Sequence, residues 1–278
     1  MPAPSRAELR LGALAVSVRY DVDLRPESGG LVLLGDPVIA VSWLECRRAL
    51  GGLDPSGDAG HERLARWLQA LRRVGDLRDA GALVPRLRAV GLPVDHPLHP
   101  GLDWVQHRVL GGALDLGLGS VGLDPDAPDS VVLVPTRALD HCGLHPDRLW
   151  PAVAAHLEAM GALAATRAAA DRRGQLRPMG GCDAITLLGA ASLRRSLAGS
   201  AGGMTTAVVP MRTRGWTRLV LIDPLFGVAA AHATAAAERG FLRPLLITAD
   251  EVALAPEVAG TDPVRAGMIR SHPAVRRS

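Results

Sequence analysis

The last third of the sequence contains a strand–helix–strand pattern, which restricts the fold more than any other feature of the chain. Residues 219–222 and 245–248 are short apolar runs typical of buried strands. The Ala-rich segment 226–239 between them is typical of a helix, and Gly240 ends it. Two strands joined through a helix run parallel in one sheet, with a right-handed crossover. Together with a strand at residues 207–211, the pattern predicts a C-terminal ββαβ unit containing parallel strands.

The first third of the sequence predicts a small N-terminal sheet. Apolar and polar residues alternate over residues 14–24, which is typical of a half-buried strand. The turn-forming segment 27–30 follows, and residues 31–34 return as the second strand of a β-hairpin. Residues 38–41 add a third strand.

Helical patterns occupy the middle of the chain. Ser42 followed by Glu45 is a capping-box pattern that opens a short helix, which Gly51 ends. Apolar spacing predicts longer helices at residues 61–74, 77–90, 102–118, 146–173 and 184–197. The fold class is therefore α+β or α/β. The Pro- and Asp-rich segment 122–130 divides an N-terminal α+β lobe (1–123) from a C-terminal α/β lobe (131–255), before a flexible tail (256–278). The lobes are two domains or halves of one.

The charged residues exclude several classes of enzyme. All 31 cationic side chains are Arg, and the sequence contains no Lys and no Asn, as a GC-rich bacterial genome would produce. P-loop, Schiff-base, Ser–Lys and kinase-type sites all need Lys and are therefore excluded. The 28 acidic residues are interspersed among the Arg, and the densest Arg stretch, residues 63–88, is typical of a solvated helix face. This distribution disfavours nucleic acid as a partner.

The cysteines and the apolar segments indicate a cellular location. Cys46, Cys142 and Cys182 are widely spaced, without a CxxC pair, which favours a reducing compartment over a disulfide framework. The first residues do not have the pattern of a secretory signal, and no apolar run is long enough to span a membrane. We expect a cytoplasmic protein without a membrane partner.

The predicted parallel strands give one candidate catalytic site. Asp223 follows the first of them, and Asp250 and Glu251 follow the second. Because ligands bind beyond the carboxyl ends of parallel strands, these acids would share a crevice and act as a base or hold a divalent cation. In the alternative interpretation, Asp223 caps the following helix and the other two acids form a turn.

A second candidate lies in the segment around Cys182. Gly180, Gly181 and Asp183 precede a predicted helix, whose N-terminus would bind an anion and lower the pKa of the Cys182 thiol. With His141 or His145 as a base, the thiol would act as a catalytic nucleophile. The alternative is a small buried cysteine beside a helix-capping Asp.

Two further candidates concern a metal and a partner. His96, His99 and His141, with Cys142 nearby, are residue types that bind zinc, although prolines follow the first two and ordinary loop histidines are the alternative. No other cofactor is predicted. Arg212, Arg214 and Trp216 lie at a predicted hairpin tip, where an exposed Trp between arginines would contact a protein partner.

These observations favour a protein that works by binding. The sequence contains no complete catalytic constellation, so we expect a non-catalytic module that binds a protein partner or forms a homo-oligomer. One alternative is an enzyme, a hydrolase or transferase, that uses the acidic crevice with a Cys182 nucleophile or a His-bound metal. Another is an Arg-dependent binder of phosphate or nucleic acid.

Overall fold

The structure is a computed structural model that describes residues 3–75, 80–123, 131–217, 229–230 and 232–254. Its first element is helix α1 (Arg6–Tyr20), which begins at a capping box between Ser5 and Glu8. The predicted strand at residues 14–24 is therefore wrong. Leu9, Ala13 and Val16 are buried at helical spacing, and a second apolar line on the exposed side of α1 produces the apparent alternation.

The predicted turn at residues 27–30, the strand that follows it and the third strand are present, although the first strand of the hairpin begins only at Leu24. Strands β1 (Leu24–Pro26), β2 (Gly30–Leu33) and β3 (Ile39–Ser42) form an antiparallel sheet in that order. The turn closes through a 2.8 Å hydrogen bond from the Glu27 amide to the Gly30 carbonyl. The first strand is short because α1 takes up most of the segment predicted to precede the turn.

Three helices follow this sheet. The Ser42–Glu45 capping box begins α2 (Trp43–Leu50), and Gly51 ends it in the left-handed conformation, as predicted. The long α3 (Asp58–Gly75) confirms the helix predicted at residues 61–74, and its stripe of Leu64, Trp67, Leu68 and Leu71 is buried. The four-residue α4 (Ala80–Leu83) comes next.

A second antiparallel sheet replaces one predicted helix and the end of another. Strand β6 (Leu114–Val121) pairs along one edge with β4 (Leu87–Pro93) and along the other with β5 (Val105–Val109) and β7 (Val131–Leu133). The helix predicted at residues 77–90 is present in part, as α4 and the 3-10 helix Val84–Arg86, and gives way to β4 at Leu87. The helix predicted at residues 102–118 is wrong. A side chain at Gly117 would clash with the Trp104 ring, so this glycine permits close packing on a strand.

Helices on the C-terminal side mostly follow the prediction. They are α5 (Thr136–His141), the 25-residue α6 (Pro146–Ala170), α7 (Ala184–Leu187) and α8 (Ala191–Ser200). The single helix predicted at residues 184–197 divides into α7 and α8 at Gly189. A Cβ at Gly189 would lie 2.9 Å from a Leu116 methyl group, so the absence of a side chain at this position lets the segment pack closely against β6.

The third sheet corrects the predicted ββαβ unit. Its order is β12 (Val252–Leu254), β11 (Leu245–Thr248), β9 (Met204–Met211), β10 (Arg214–Trp216) and β8 (Gln175–Leu176), and all neighbours are antiparallel. The predicted parallel strands are not supported, because antiparallel neighbours occupy both edges of β11. The strand predicted at residues 219–222 lies outside the described residues, as do residues 226–228 and 231 of the predicted helix; the 3-10 helix Ala236–Glu238 is described.

The fold is therefore α+β, and the described residues form three antiparallel sheets with helices packed on them. Helix α6 packs on α8 and β4, and α7 packs on β4, β9 and β10. The division into lobes at residues 122–130 stays a prediction, and most of that segment lies outside the described residues. No described helix is both long enough and apolar enough to cross a membrane.

Candidate functional site

One pocket combines an apolar lining with a concentration of charge. Helix α3 presents Arg66, Gln69, Ala70 and Arg73 to it, because residues spaced by three, four and seven lie on one helix face. The opposite wall comes from strands β4 and β7. The cavity volume is about 180 Å³. The remaining described lining residues are Leu92, Leu98, Pro100, Val131, Val132, Leu133 and Arg212.

The described lining of this pocket, which we call the arginine pocket, includes three arginines and no acidic residue. Arg66 is half-buried, and its Nη2 donates a hydrogen bond to the Pro97 carbonyl. Its Nε is buried and has no hydrogen-bond partner in the described part of the chain, and the Glu62 carboxylate lies 3.7 Å from its Nη2. Burial lowers the pKa of Arg66. Such a partly desolvated guanidinium gains from an anionic ligand.

Arg212 is held in the pocket wall by Asp183. Arg212 Nε and Nη2 donate to Asp183 Oδ2 at 3.1 and 2.9 Å, and both side chains are largely buried. The other carboxylate oxygen of Asp183 accepts from the Thr186 amide at 2.9 Å and caps α7. Thr186 Oγ1 in turn accepts from the Gly91 amide of β4 at 2.7 Å. This chain of hydrogen bonds connects Arg212 to strand β4.

The loop after β4 supplies the apolar end of the pocket and is fixed by His99. Its Nδ1 accepts from the Gly101 amide at 3.1 Å, so the proton lies on Nε2, which donates to Asp115 Oδ2 at 3.0 Å. The buried Asp115 also accepts two hydrogen bonds from Arg108, at 2.6 and 2.8 Å. Burial lowers the pKa of His99. The loop is therefore tied to β5 and β6 by a neutral histidine between a carboxylate and a backbone amide.

His96 lies beside the pocket and has an unsatisfied ring nitrogen. It is 3% exposed, and its Nδ1 accepts from the Leu98 amide at 3.1 Å. Among the described residues, no group meets the geometry of a hydrogen bond to Nε2, although the Arg239 backbone is close enough to stabilise the charged ring slightly. Burial, reinforced by the charge of Arg212, lowers the pKa of His96 to about 4. The ring is neutral at pH 7, and its Nε2 carries a proton that it can donate.

The predicted metal site gains no support from this geometry. His96 and His99 each use Nδ1 to accept a backbone amide, and His99 uses Nε2 for Asp115. Within the described part of the chain, no group of three or more His, Cys, Asp or Glu residues could hold a metal ion. His141 is the last residue of α5, and its side chain is not among those that the structure describes.

The segment around Cys182 forms a tight turn. Gly180 and Gly181 have positive φ angles of 56° and 82°, and the Met179 and Cys182 backbones exchange hydrogen bonds of 2.9 and 3.0 Å across the turn. The amide of Cys182 is thus unavailable to an anion. The Cys182 thiol is 1% exposed, and burial raises its pKa to about 11, so this environment favours the protonated thiol. His145 instead caps α6 by accepting the Asp147 amide.

The acidic candidates do not converge in the described residues. Asp250 and Glu251 are exposed in the turn between β11 and β12, where Thr248 and Glu251 exchange backbone and side-chain hydrogen bonds of 2.8 and 3.0 Å. Asp223 lies outside the described residues. The crevice required parallel strands, which the described sheets do not contain.

The predicted partner surface at residues 212–216 is divided between two environments. Trp216 is 8% exposed in β10, so the expectation of an exposed Trp is wrong. Arg212 faces Asp183 and the arginine pocket, whereas Arg214 is exposed. The three side chains do not form one exposed surface.

Sequence reasoning missed Arg66, Arg73 and the apolar residues that face them. The spacing of Arg66, Gln69 and Arg73 on one face of a predicted helix was the available signal, but it is also typical of a solvated face. Comparison with known proteins gives no further guidance, since no protein-family model, no curated protein and no solved structure matches the chain. The chemistry of the pocket is therefore the basis for a function.

Proposed function

We propose that this protein binds a small organic anion in the arginine pocket and does so without catalysis. The observation that carries this proposal is the presence of three arginines, and of no acidic residue, in the described lining of an otherwise mostly apolar pocket. Asp183 pairs with Arg212, and Glu62 lies 3.7 Å from Arg66, but neither carboxylate belongs to the described lining. The surface that a ligand meets is therefore cationic, which favours anions over cations. The proposal combines two expectations from the sequence: a protein that works by binding, and an Arg-dependent binder of phosphate.

The lining also indicates the form of the ligand. The planar guanidinium group forms paired hydrogen bonds with carboxylate or phosphate oxygens. Leu92, Leu98 and Pro100 provide apolar surface for the body of the ligand. The cavity volume of about 180 Å³ is several times the ~30 Å³ that one water molecule occupies in the liquid, so it exceeds what a single ion needs. A carboxylate or phosphate ester with a short apolar body fits these features.

The lining favours binding over catalysis. The described lining residues include no Ser, Thr, Cys, His, Asp or Glu, which are the usual nucleophiles, acids and bases. His96 stands next to the pocket as a neutral hydrogen-bond donor, and its pKa of about 4 suits a donor better than a proton acceptor at neutral pH. We further propose a cytoplasmic location, since none of the three cysteines forms a disulfide.

Ligand-induced stabilisation tests the proposal. We expect benzoate and phenyl phosphate to raise the Tm of the wild-type protein saturably, because a ligand that binds only the folded state stabilises it. Benzamide, the neutral isostere of benzoate, should have a much smaller effect at the same concentration. Equal shifts from benzoate and benzamide, or no saturable shift from either anion, would refute the proposal.

Variants locate the binding site. Arg66→Gln should weaken anion binding about 10-fold or more, because a hydrogen bond to a charged group contributes roughly 1.5–3 kcal/mol. Arg73→Gln tests the other α3 arginine in the same way. Arg195→Gln, an exposed arginine of α8 outside the pocket, is the matched control and should bind as the wild type does. An Arg66→Gln variant that folds and binds with unchanged affinity would contradict the assignment.

A further inference from the structure

Helix α1 has an apolar line on the side that faces away from the protein. Leu9, Gly12, Ala13 and Val16 are buried against the core. On the opposite side, Leu11, Leu14 and Val18 are 66%, 42% and 88% exposed, and Ala7 continues their line toward the helix N-terminus. Exposed single apolar residues are common, but four in register over three turns form a continuous feature.

The spacing of this line is that of a helix-pairing seam. Ala7, Leu11, Leu14 and Val18 are separated by four, three and four residues, which is the alternation of d and a positions in a heptad repeat. A strict a/d line is narrow and suits contact with one other helix, whereas a helix that lies on a lipid surface usually has a wider apolar face. The flanking positions are polar or small and include Arg10.

We propose that the protein forms a homodimer in which this line, the α1 seam (Ala7, Leu11, Leu14 and Val18), packs antiparallel against the same seam of a second copy. A two-fold axis midway between Leu11 and Leu14 makes the seam self-complementary. Leu11 then faces the partner's Leu14, and the small Ala7 faces the partner's Val18. The proposal does not depend on the arginine pocket, which no residue of α1 lines.

The charges along α1 select the second copy and its orientation. The N-terminal half of α1 is net basic, with Arg6 and Arg10 against Glu8. The C-terminal end is net acidic, because Arg19 is paired with Asp58 and is followed by Asp21 and Asp23. An antiparallel arrangement brings the basic end of each helix toward the acidic end of the other, and it also opposes the two helix dipoles favourably. A parallel arrangement would instead place the two basic ends side by side and align the two helix dipoles, which disfavours it.

Molecular mass in solution tests the proposal. Light scattering coupled to size exclusion at about 50 µM should give twice the chain mass of 29.1 kDa for the wild type. The double variant Leu11→Glu/Val18→Glu should weaken the dimer about 100-fold or more and give the chain mass, with an unchanged Tm at low concentration because both side chains are exposed. Leu163→Glu, at an exposed leucine of α6, is the control and should remain dimeric.

Three results would overturn the proposal. A wild-type monomer at 50 µM would remove the dimer, and a dimer that survives the double substitution would place the interface elsewhere. Flotation of the wild type with phosphatidylglycerol vesicles, lost in the double variant, would assign the seam to a lipid surface instead. For orientation, spin labels at an Arg6→Cys substitution should lie roughly 20 Å or more apart, given a rise of 1.5 Å per residue; a separation near 10 Å would contradict the antiparallel arrangement.

Discussion

Replacing His96 by Asn should remove part of the sensitivity of this fold to acid. His96 is 3% exposed, and Nδ1 accepts a hydrogen bond from the Leu98 amide. An Asn side chain places its carbonyl oxygen near the position of Nδ1 and keeps that hydrogen bond, but it has no proton to gain. The substitution therefore isolates the titration of the ring from its role in fixing the loop.

The sign and size of the effect follow from the pKa of His96. Burial lowers it from an ordinary value of 6.5 to about 4, so below pH 6.5 the unfolded chain binds a proton that the folded protein excludes. The stability that the neutral ring provides is complete above pH 6.5 and is lost as the pH falls toward 4. At 1.36 kcal/mol per pKa unit, the loss is about 2 kcal/mol at pH 5 and about 3 kcal/mol below pH 4.

Urea unfolding of both proteins at pH 7.5 and pH 5.0 measures this difference. The wild type should lose about 2 kcal/mol more than His96→Asn between the two values, from the linkage between protonation and folding. Burial also lowers the pKa of His99, so both proteins lose further stability in the same direction as the pH falls. His232→Asn, at an exposed histidine, is the control and should follow the wild type.

An equal loss of stability in wild type and His96→Asn would refute the reasoning. It would mean that the ring is accessible to protons in the folded state, and that burial beside Arg212 does not keep it neutral. A smaller m-value in the variant would indicate a changed denatured state or a loss of two-state unfolding. The two proteins would then be compared by the hydrogen-exchange protection of the loop amides.

Three further outcomes are expected. Asp115→Ala should destabilise the protein by about 1–3 kcal/mol in urea, because the Nε2 proton of the neutral His99 ring loses its acceptor inside the core; an unchanged stability would contradict this. Gly101→Ala should lower the Tm strongly, with a cost of about 3 kcal/mol, since Gly101 has a φ of 96° and a Cβ would clash with the Ala49 backbone; an unchanged Tm would refute it. Iodoacetamide should label Cys182 in the native protein at pH 8 roughly 100-fold more slowly than in the unfolded chain, given a pKa near 11; mass spectrometry of the labelled peptide would expose equal rates.

Elements with local end signals could be predicted from the sequence. The Ser42–Glu45 capping box and Gly51 locate both ends of α2, and the buried Leu and Trp spacing locates α3. The turn at residues 27–30 is also local, because its glycines and polar residues adopt the turn regardless of what the flanking strands pack against. Signals of this kind act within a few residues, so tertiary contacts rarely reverse them.

Elements whose apolar pattern fits both a helix and a strand could not be assigned in this way. In α1, the apolar line on the exposed side adds to the buried line, and together they imitate the alternation of a strand. In β6 the opposite error occurs, since a helix was predicted where the chain forms a strand. Leu114, Leu116 and Leu118 alternate with Asp and Gly residues, and this strand-like alternation was interpreted as a helix weakened by its glycines. The buried Asp115 and the Trp104 contact at Gly117 explain those residues, and both are long-range.

The direction of β11 shows why the predicted crevice failed. A strand–helix–strand pattern implies a parallel pair only if the two strands become neighbours in one sheet. Here β12 follows β11 after a short turn and occupies one edge, while β9 occupies the other. The hairpin at residues 248–251 was visible in the sequence as a polar turn, and it competes directly with the parallel arrangement for the edge of β11.

The composition of this chain also hides the arginine pocket. Where both Lys and Arg are available, an Arg at a given position is informative, since only the guanidinium pairs with an anion through two parallel hydrogen bonds. In a chain whose 31 cations are all Arg, a solvated arginine and a ligand-binding arginine are the same residue type. What separates Arg66 from the exposed Arg195 is the surface opposite it, supplied by β4, β7 and the loop after β4, and those segments become neighbours only in the folded protein.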